Sequence, residues 1–228
     1  MNRIKIAPSI LAADHADLKG EILKVQEAGA DMIHVDVADG HFAPNISMGA
    51  DTVQALRKVT ELPLDVHLMI SDPEKFTESF LVAGSDILTV HAEAIDRKRV
   101  MKLSEIVRKR GRKFGVALKP ATPMPEWFED HQNNIDLLLI LSVNPGFPGQ
   151  AFMPEVLPKV RAAARMADSS QFEVEVDGGV DQSNASTIVR AGATVLVAGA
   201  SIFRKADIKS ALKEMRRVVD RSLQEVSA

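Results

Sequence analysis

Histidines and aspartates recur in this chain at the downstream ends of short apolar runs. Met32-Ile33-His34-Val35-Asp36-Val37 is followed by Leu64-Asp65-Val66-His67-Leu68-Met69 and, much later, by Val174-Glu175-Val176-Asp177-Gly178-Gly179. His34 and Asp36 stand two residues apart, so on a strand both side chains point to one face. Imidazole nitrogen with carboxylate oxygen suits one divalent ion of the zinc, iron, manganese or cobalt kind. His34, Asp36, His67 and Asp177 therefore read as one metal-binding active site assembled from distant parts of the chain.

Two aspartates on opposite sides of a site, here Asp36 and Asp177, can flank a flat substrate on its two faces. One removes a proton from a carbon next to a carbonyl, the other returns one to the opposite face, and the carbon is inverted. A metal acting as Lewis acid would polarise the carbonyl and hold the enediolate oxygens; a carboxylate alone is too weak a base for such a C–H bond. A cation also holds both carboxyl pKa values low, so one carboxylate must be freed or protonated during turnover.

A second set of residues suits phosphate. Asn144-Pro145-Gly146-Phe147-Pro148-Gly149-Gln150, Gly178-Gly179 and Gly199-Ala200-Ser201 each follow a strand-like run. Small residues there let backbone N–H groups converge, with helix N-termini adding a favourable dipole, so an oxyanion needs no lysine.

Positioning these groups requires alternating elements. Strand patterns fall at residues 4–8, 32–37, 64–68, 86–90, 114–118, 137–141, 173–176 and 195–198. Helical patterns fall between them at 18–28, 51–59, 74–82, 97–110, weakly at 125–130, then at 155–167, 182–190 and 205–226. Ala28-Gly29-Ala30, Ala83-Gly84-Ser85 and Ala191-Gly192-Ala193 place glycine where a helix ends in the left-handed conformation. The strands are almost continuously apolar, as in a parallel sheet covered on both faces. No Gly-x-Gly-x-x-Gly turn follows the first strand, which disfavours an open dinucleotide-binding sheet. The pattern predicts a single (β/α)8 TIM barrel over residues 1–228, with its site at the C-terminal strand ends and phosphate at the late loops.

Other strand-end residues have plainer readings. His91 reads as a hydrogen-bonded structural histidine, Asp65 as a wall or capping residue, Asp39-Gly40 as a turn and Met69 as packing.

The bulk numbers agree with an enzyme of ordinary composition. In 228 residues, 46% are apolar and 26% charged, the formal net charge is −3, and no basic run suggests nucleic acid. The absence of cysteine excludes disulfides, thiolate zinc sites and a cysteine nucleophile. No segment reaches membrane-spanning length and no signal-peptide stretch opens the chain, so a cytoplasmic location is expected.

The chain resembles the ribulose-phosphate 3-epimerase family over nearly its whole length. The matching stretches run from Ile6-Ala7-Pro8-Ser9-Ile10-Leu11 through His34-Val35-Asp36-Val37, Asp39-Gly40-His41-Phe42, Pro44-Asn45 and Leu64-Asp65-Val66-His67-Leu68-Met69. They continue with Val90-His91, Pro120-Ala121-Thr122-Pro123, Ser142-Val143-Asn144-Pro145-Gly146-Phe147, Glu175-Val176-Asp177-Gly178-Gly179 and Val197-Ala198-Gly199.

The resemblance implies interconversion of D-ribulose 5-phosphate and D-xylulose 5-phosphate by a homo-oligomer. His34, Asp36, His67 and Asp177 would be the metal ligands, with Asp36 and Asp177 the acid/base pair. Ser9, His67 and Met69 would face the sugar. Gly146, Phe147, Pro148, Gly149, Gly178, Gly179, Gly199, Ala200 and Ser201 would surround the phosphate. Ala38 and Leu141 replace methionines usual in the family, Pro148 replaces a glycine, and Arg204-Lys205 stand where a small residue is common. These departures keep open a 3-epimerase of another ketose phosphate, such as D-allulose 6-phosphate or a four-carbon ketose phosphate, and a non-catalytic sugar-phosphate-binding barrel. A decarboxylase of the orotidine-phosphate type is disfavoured, because Asp36-Val37-Ala38-Asp39 offers no lysine.

Overall fold

The computed structural model describes residues 3–170 and 172–227. Its first half runs β1 (Lys5–Pro8), α1 (Leu18–Glu27), β2 (Ile33–Ala38), α2 (Ala50–Arg57), β3 (Leu64–Met69), α3 (Pro73–Ala83), β4 (Ile87–His91) and α4 (Arg97–Lys109). The second half runs β5 (Lys113–Leu118), α5 (Phe128–His131), β6 (Leu137–Leu141), α6 (Leu157–Ser170) and β7 (Glu173–Asp177). It ends with α7 (Ala185–Arg190), β8 (Val195–Ala198), α8 (Ala200–Phe203) and α9 (Ile208–Ser227).

Among the described residues, eight strands form one sheet in the order β1-β8-β7-β6-β5-β4-β3-β2, and every pairing is parallel. The seam between β1 and β2 is held by a bridge from Ser9 to His34 and by the bond from Asp31 N–H to the Ile6 carbonyl. Alternating helices cover the outside, so the molecule is a (β/α)8 barrel of the TIM type.

Alternation along each strand divides the core in two. Outward residues such as Ile6, Val35, Val66 and Val116 pack against the helices in the larger apolar cluster. Inward residues Ala7, Ala117, Leu137, Leu139, Leu141, Val195 and Val197 fill the barrel. The expected glycine ends are present: Gly84 caps α3 at φ 107°, and Gly29 and Gly192 take φ 94° and 105°.

Most element boundaries shift by one or two residues from the sequence reading; the last helices differ more. The 182–190 pattern becomes helical only at Ala185, because the Asp181 carboxylate accepts from the N–H groups of Ser183 and Asn184 and holds a turn there. The helix expected at 205–226 is α9, which starts three residues later, after Asp207 accepts from Ser210 N–H, and the one-turn α8 before it was not expected. Among the described residues no helix is long and apolar enough to cross a membrane.

Candidate active site

The inner face carries ionisable side chains in two tiers. His34 and Asp36 of β2, Asp65 and His67 of β3, and Glu175 and Asp177 of β7 are pairs two residues apart, so each pair faces inward. Register sets His34 beside Asp65 and Asp36 beside His67. His34, Asp65 and Glu175 gather in one tier, and Asp36, His67 and Asp177 stand one step nearer the strand ends. Ligand-type atoms of His34, Asp36, His67 and Asp177 all lie within 4.8 Å of one another, so these four could hold a metal ion.

Hydrogen bonds behind the cluster decide which atoms face it. His34 Nδ1 lies 2.6 Å from Asp65 Oδ2 and donates to it. His67 Nε2 lies 2.9 Å from His91 Nε2, and His91 Nδ1 lies 2.9 Å from Glu93 Oε2. Burial keeps His91 neutral by pushing its pKa down to about 4. Burial works against charge on Glu93 too, but bonds from His91, Thr122 and the Lys119 N–H hold its pKa at about 2. Glu93 thus accepts from His91 Nδ1, and His91 Nε2 accepts from His67.

Both relays leave the lone pairs of His34 Nε2 and His67 Nδ1 aimed at Asp36 Oδ1, at 3.3 and 3.0 Å. Three acceptors turned on one point repel unless positive charge sits among them. A divalent cation satisfies all three, and the carboxylate-backed histidines are the usual outer support of such a site.

A proton on His34 Nε2, donated to Asp36 Oδ1, is the other way to supply that positive charge. Burial opposes charge on His34, yet Asp36 and Asp65 hold its pKa well above the ordinary value. Burial pushes Asp36 upward, but His34 and His67 carry it below the carboxylate range. Asp177 rises to about 6, from burial first and the Asp36 carboxylate second. Glu175 is fully buried with neither oxygen hydrogen-bonded, and burial together with Asp65 raises its pKa well above normal.

A cavity of about 310 Å³ opens beside the outer tier, a size that suits a small ligand. Asp36, Asp177, Ser9 and Met69 line it, and Ser9 Oγ donates to Asp36 Oδ2 at 2.6 Å. Gly146, Phe147, Pro148 and Gly149 line it after β6. Gly178 and Gly179 follow β7, and Gly199, Ala200 and Ser201 follow β8, on the same cavity. His34 and His67 stand behind the wall, fully buried.

At Gly179 the chain has φ 64°, and a Cβ there would sit 2.4 Å from Phe152 N and 2.8 Å from Gln150 O. The loops after β6 and β7 thus lie backbone against backbone. Asn45 Nδ2 donates to the Gly146 carbonyl at 2.7 Å, joining the loop after β2 to the same rim.

Several plain readings acquire partners. Asp39 does sit in a turn, but its carboxylate also accepts from the N–H groups of His41, Phe42 and Ser71. Met69 both packs with Ala38 and Ala43 and lines the cavity. Ala38 is buried against Ala43, Met69 and Phe42, outside the cavity lining. Phe42 stacks on His91 at 4.5 Å and carries Lys119 Nζ 3.8 Å over its ring.

Sequence reasoning missed the carboxyls of the inner tier and the His91–Glu93 relay. The signal was present in Asp65 and Glu175, each two residues before a ligand-type residue on its own strand and so facing the same way.

The sequence model of the ribulose-phosphate 3 epimerase family matches residues 5–203. The ribulose-phosphate 3-epimerase of Bacillus subtilis (strain 168) is 47% identical over 93% of this chain and 98% of its own length. The cytoplasmic isoform of ribulose-phosphate 3-epimerase from Oryza sativa subsp. japonica is 40% identical over 96% of this chain and 95% of its own. Among solved structures, the 3-hexulose-6-phosphate synthase of Salmonella typhimurium superposes with a TM-score of 0.71, covering 96% of this chain and 100% of that one. At 15% identity that likeness concerns the fold alone. With the family model spanning most of the barrel and relatives at 40% and 47% identity along nearly the whole chain, the protein belongs to the ribulose-phosphate 3 epimerase family and is an isomerase of the epimerase type.

Proposed function

We propose that the chain interconverts D-ribulose 5-phosphate and D-xylulose 5-phosphate by inverting C3. The observation that carries this reading is the pair Asp36 and Asp177, which reach one cavity from β2 and β7. Proton removal on one face and return on the other needs one carboxylate ionised and its partner protonated at the start. His34, Asp36, His67 and Asp177 would hold a divalent ion of the zinc, iron, manganese or cobalt kind, which would supply Lewis-acid polarisation of the substrate carbonyl.

Ser9 holds Asp36 by its 2.6 Å bond, fixing which carboxylate oxygen faces the sugar. Ser9 and Met69 form the sugar's surroundings in this reading, whereas His67, behind the wall, is left to the metal. The phosphate lies among the backbone N–H groups of Gly146 to Gly149, Gly178, Gly179 and Gly199 to Ser201. Pro148 has no N–H to offer, and Ser201 Oγ donates its proton to the Val180 carbonyl at 2.7 Å. A cytoplasmic location, as named for the rice isoform, and a homo-oligomer, as the family resemblance implies, belong to the same reading.

Proton NMR in deuterium oxide tests it. With D-ribulose 5-phosphate, deuterium enters at C3 and D-xylulose 5-phosphate accumulates; chelation stops this and added metal restores it. Asp36→Asn and Asp177→Asn each abolish conversion while retaining a cooperative thermal transition. Substantial turnover in either variant sinks the two-carboxylate mechanism, and exchange confined to another ketose phosphate moves the substrate.

A further inference from the structure

The cavity exposes the carboxylates of Asp36, Asp177 and Asp181, and among the described residues Lys205 is its one cationic lining side chain. A phosphorylated substrate adds up to two more negative charges. In the proposed reading Asp36 and Asp177 are offset by the histidines and the cation. Asp181 Oδ1 is occupied by the N–H groups of Ser183 and Asn184 and by the Ser183 hydroxyl. The loops at the phosphate end offer backbone N–H groups, and Pro148 interrupts them.

Lys205 follows α8 directly after Arg204, and both are exposed. Neither forms an ion pair among the described residues, although Arg97, Arg99, Arg108 and Lys109 on α4 all do. The Arg204 guanidinium packs on the phosphate loop: a Cβ at Gly149 would lie 2.8 Å from Arg204 Nη1. Two adjacent cations without counter-ions, one lining the cavity and one on its loop, are arranged for an anion that arrives from outside. A lysine suits that task, being a compact charge on a flexible stem that can follow a dianion in and release it.

We infer that Lys205 is a charged anchor for the substrate phosphate, and that Arg204 holds the 144–150 loop against it. This rests on the reading that the phosphate lies among these loops.

The test compares metal-loaded wild type, Lys205→Met, Lys205→Arg and, as a control, Lys98→Met, another exposed lysine without an ion pair, on α4. Two constants are measured at low and high ionic strength: KM for D-ribulose 5-phosphate, and the competitive inhibition constant of inorganic phosphate. Lys205→Met raises both by about ten-fold at low ionic strength, as expected for a charge-assisted contact made equally in ground and transition states. The gap narrows at high salt, Lys205→Arg recovers most of the loss, and Lys98→Met moves neither constant. If phosphate still competes but its constant is the same in Lys205→Met and wild type, the anchor is overturned and the backbone cradle stands. If phosphate does not compete with substrate in the wild type, cradle and anchor fall together.

Discussion

Asp65 and Glu175 are two fully buried carboxyls in one tier of the barrel, and replacing each by its amide should have unequal effects on metal affinity. Asp65 Oδ2 takes the Nδ1 proton of His34 at 2.6 Å. That bond fixes the tautomer and leaves His34 Nε2 facing Asp36. Hydrogen bonds to a charged partner contribute about 1.5–3 kcal/mol, and each 1.4 kcal/mol is a decade in an equilibrium constant. Asp65→Asn should therefore weaken divalent-metal binding by about ten- to hundred-fold, the range usual for losing an outer partner of a ligating histidine. Glu175 has no hydrogen bond, its nearest nitrogen being His34 Nδ1 at 3.5 Å, and burial keeps it protonated. Glu175→Gln exchanges one neutral group for another of the same shape, and metal affinity should change by less than about five-fold. Competition against a chromophoric chelator measures both constants without relying on turnover. Equal losses in the two variants, or none in Asp65→Asn, would refute the assignment of His34 orientation to Asp65.

Three further outcomes follow from local geometry. Gly179→Ala forces φ 64° on an L-residue and drives Cβ into backbone atoms of Gln150 and Phe152; the left-handed conformation alone costs about 1–2 kcal/mol. Its melting temperature should fall by at least about 3 °C, with KM raised as the two loops separate. Ala38→Met adds bulk among Ala43, Met69 and Phe42, where overpacking costs about 1–3 kcal/mol; chemical denaturation should show that loss, and a stability equal to wild type would mean the pocket accepts the side chain. The N–H groups of Ser71, Phe42 and His41 outweigh burial and hold Asp39 near a pKa of about 2. A depressed carboxyl stabilises the fold above its unfolded pKa of about 4, and that contribution disappears as pH falls toward 2. The stability gap between wild type and Asp39→Asn should accordingly be widest near neutrality and shrink between pH 5 and pH 3, and a gap independent of pH would contradict it.

The fold was legible because β6, Leu137–Leu141, and β3, Leu64–Met69, are short runs buried on both faces. Such runs stand out as soon as glycine-ended helical patterns separate them. The four metal-type residues were legible for a related reason: a charged or imidazole side chain inside an apolar run has few uses other than chemistry. What stayed hidden depended on contacts between strands. Asp65 and His34 are 31 residues apart and meet only through the β2–β3 register. Glu93 reaches His67 only by way of His91. The late start of α9 turned on which side chain capped which N–H, and Asp207 carries no mark in a linear pattern that sets it apart from other surface aspartates.

The pairing of β1 with β8 has a consequence for how the protein comes into being. Lys5 to Pro8 are translated long before their ladder partners Val195 to Ala198, and the Arg216 guanidinium that ties α9 to the Ile4 carbonyl is later still. During translation this edge of β1 has no ladder partner until β8 has left the ribosome, which leaves it open in that interval. Asp36 likewise emerges long before Asp177, so a nascent chain already displays half of the His/Asp cluster with nothing to complete it. Competence arrives late and all at once: a fragment ending before β7 has neither the second carboxylate nor the strands that close the barrel.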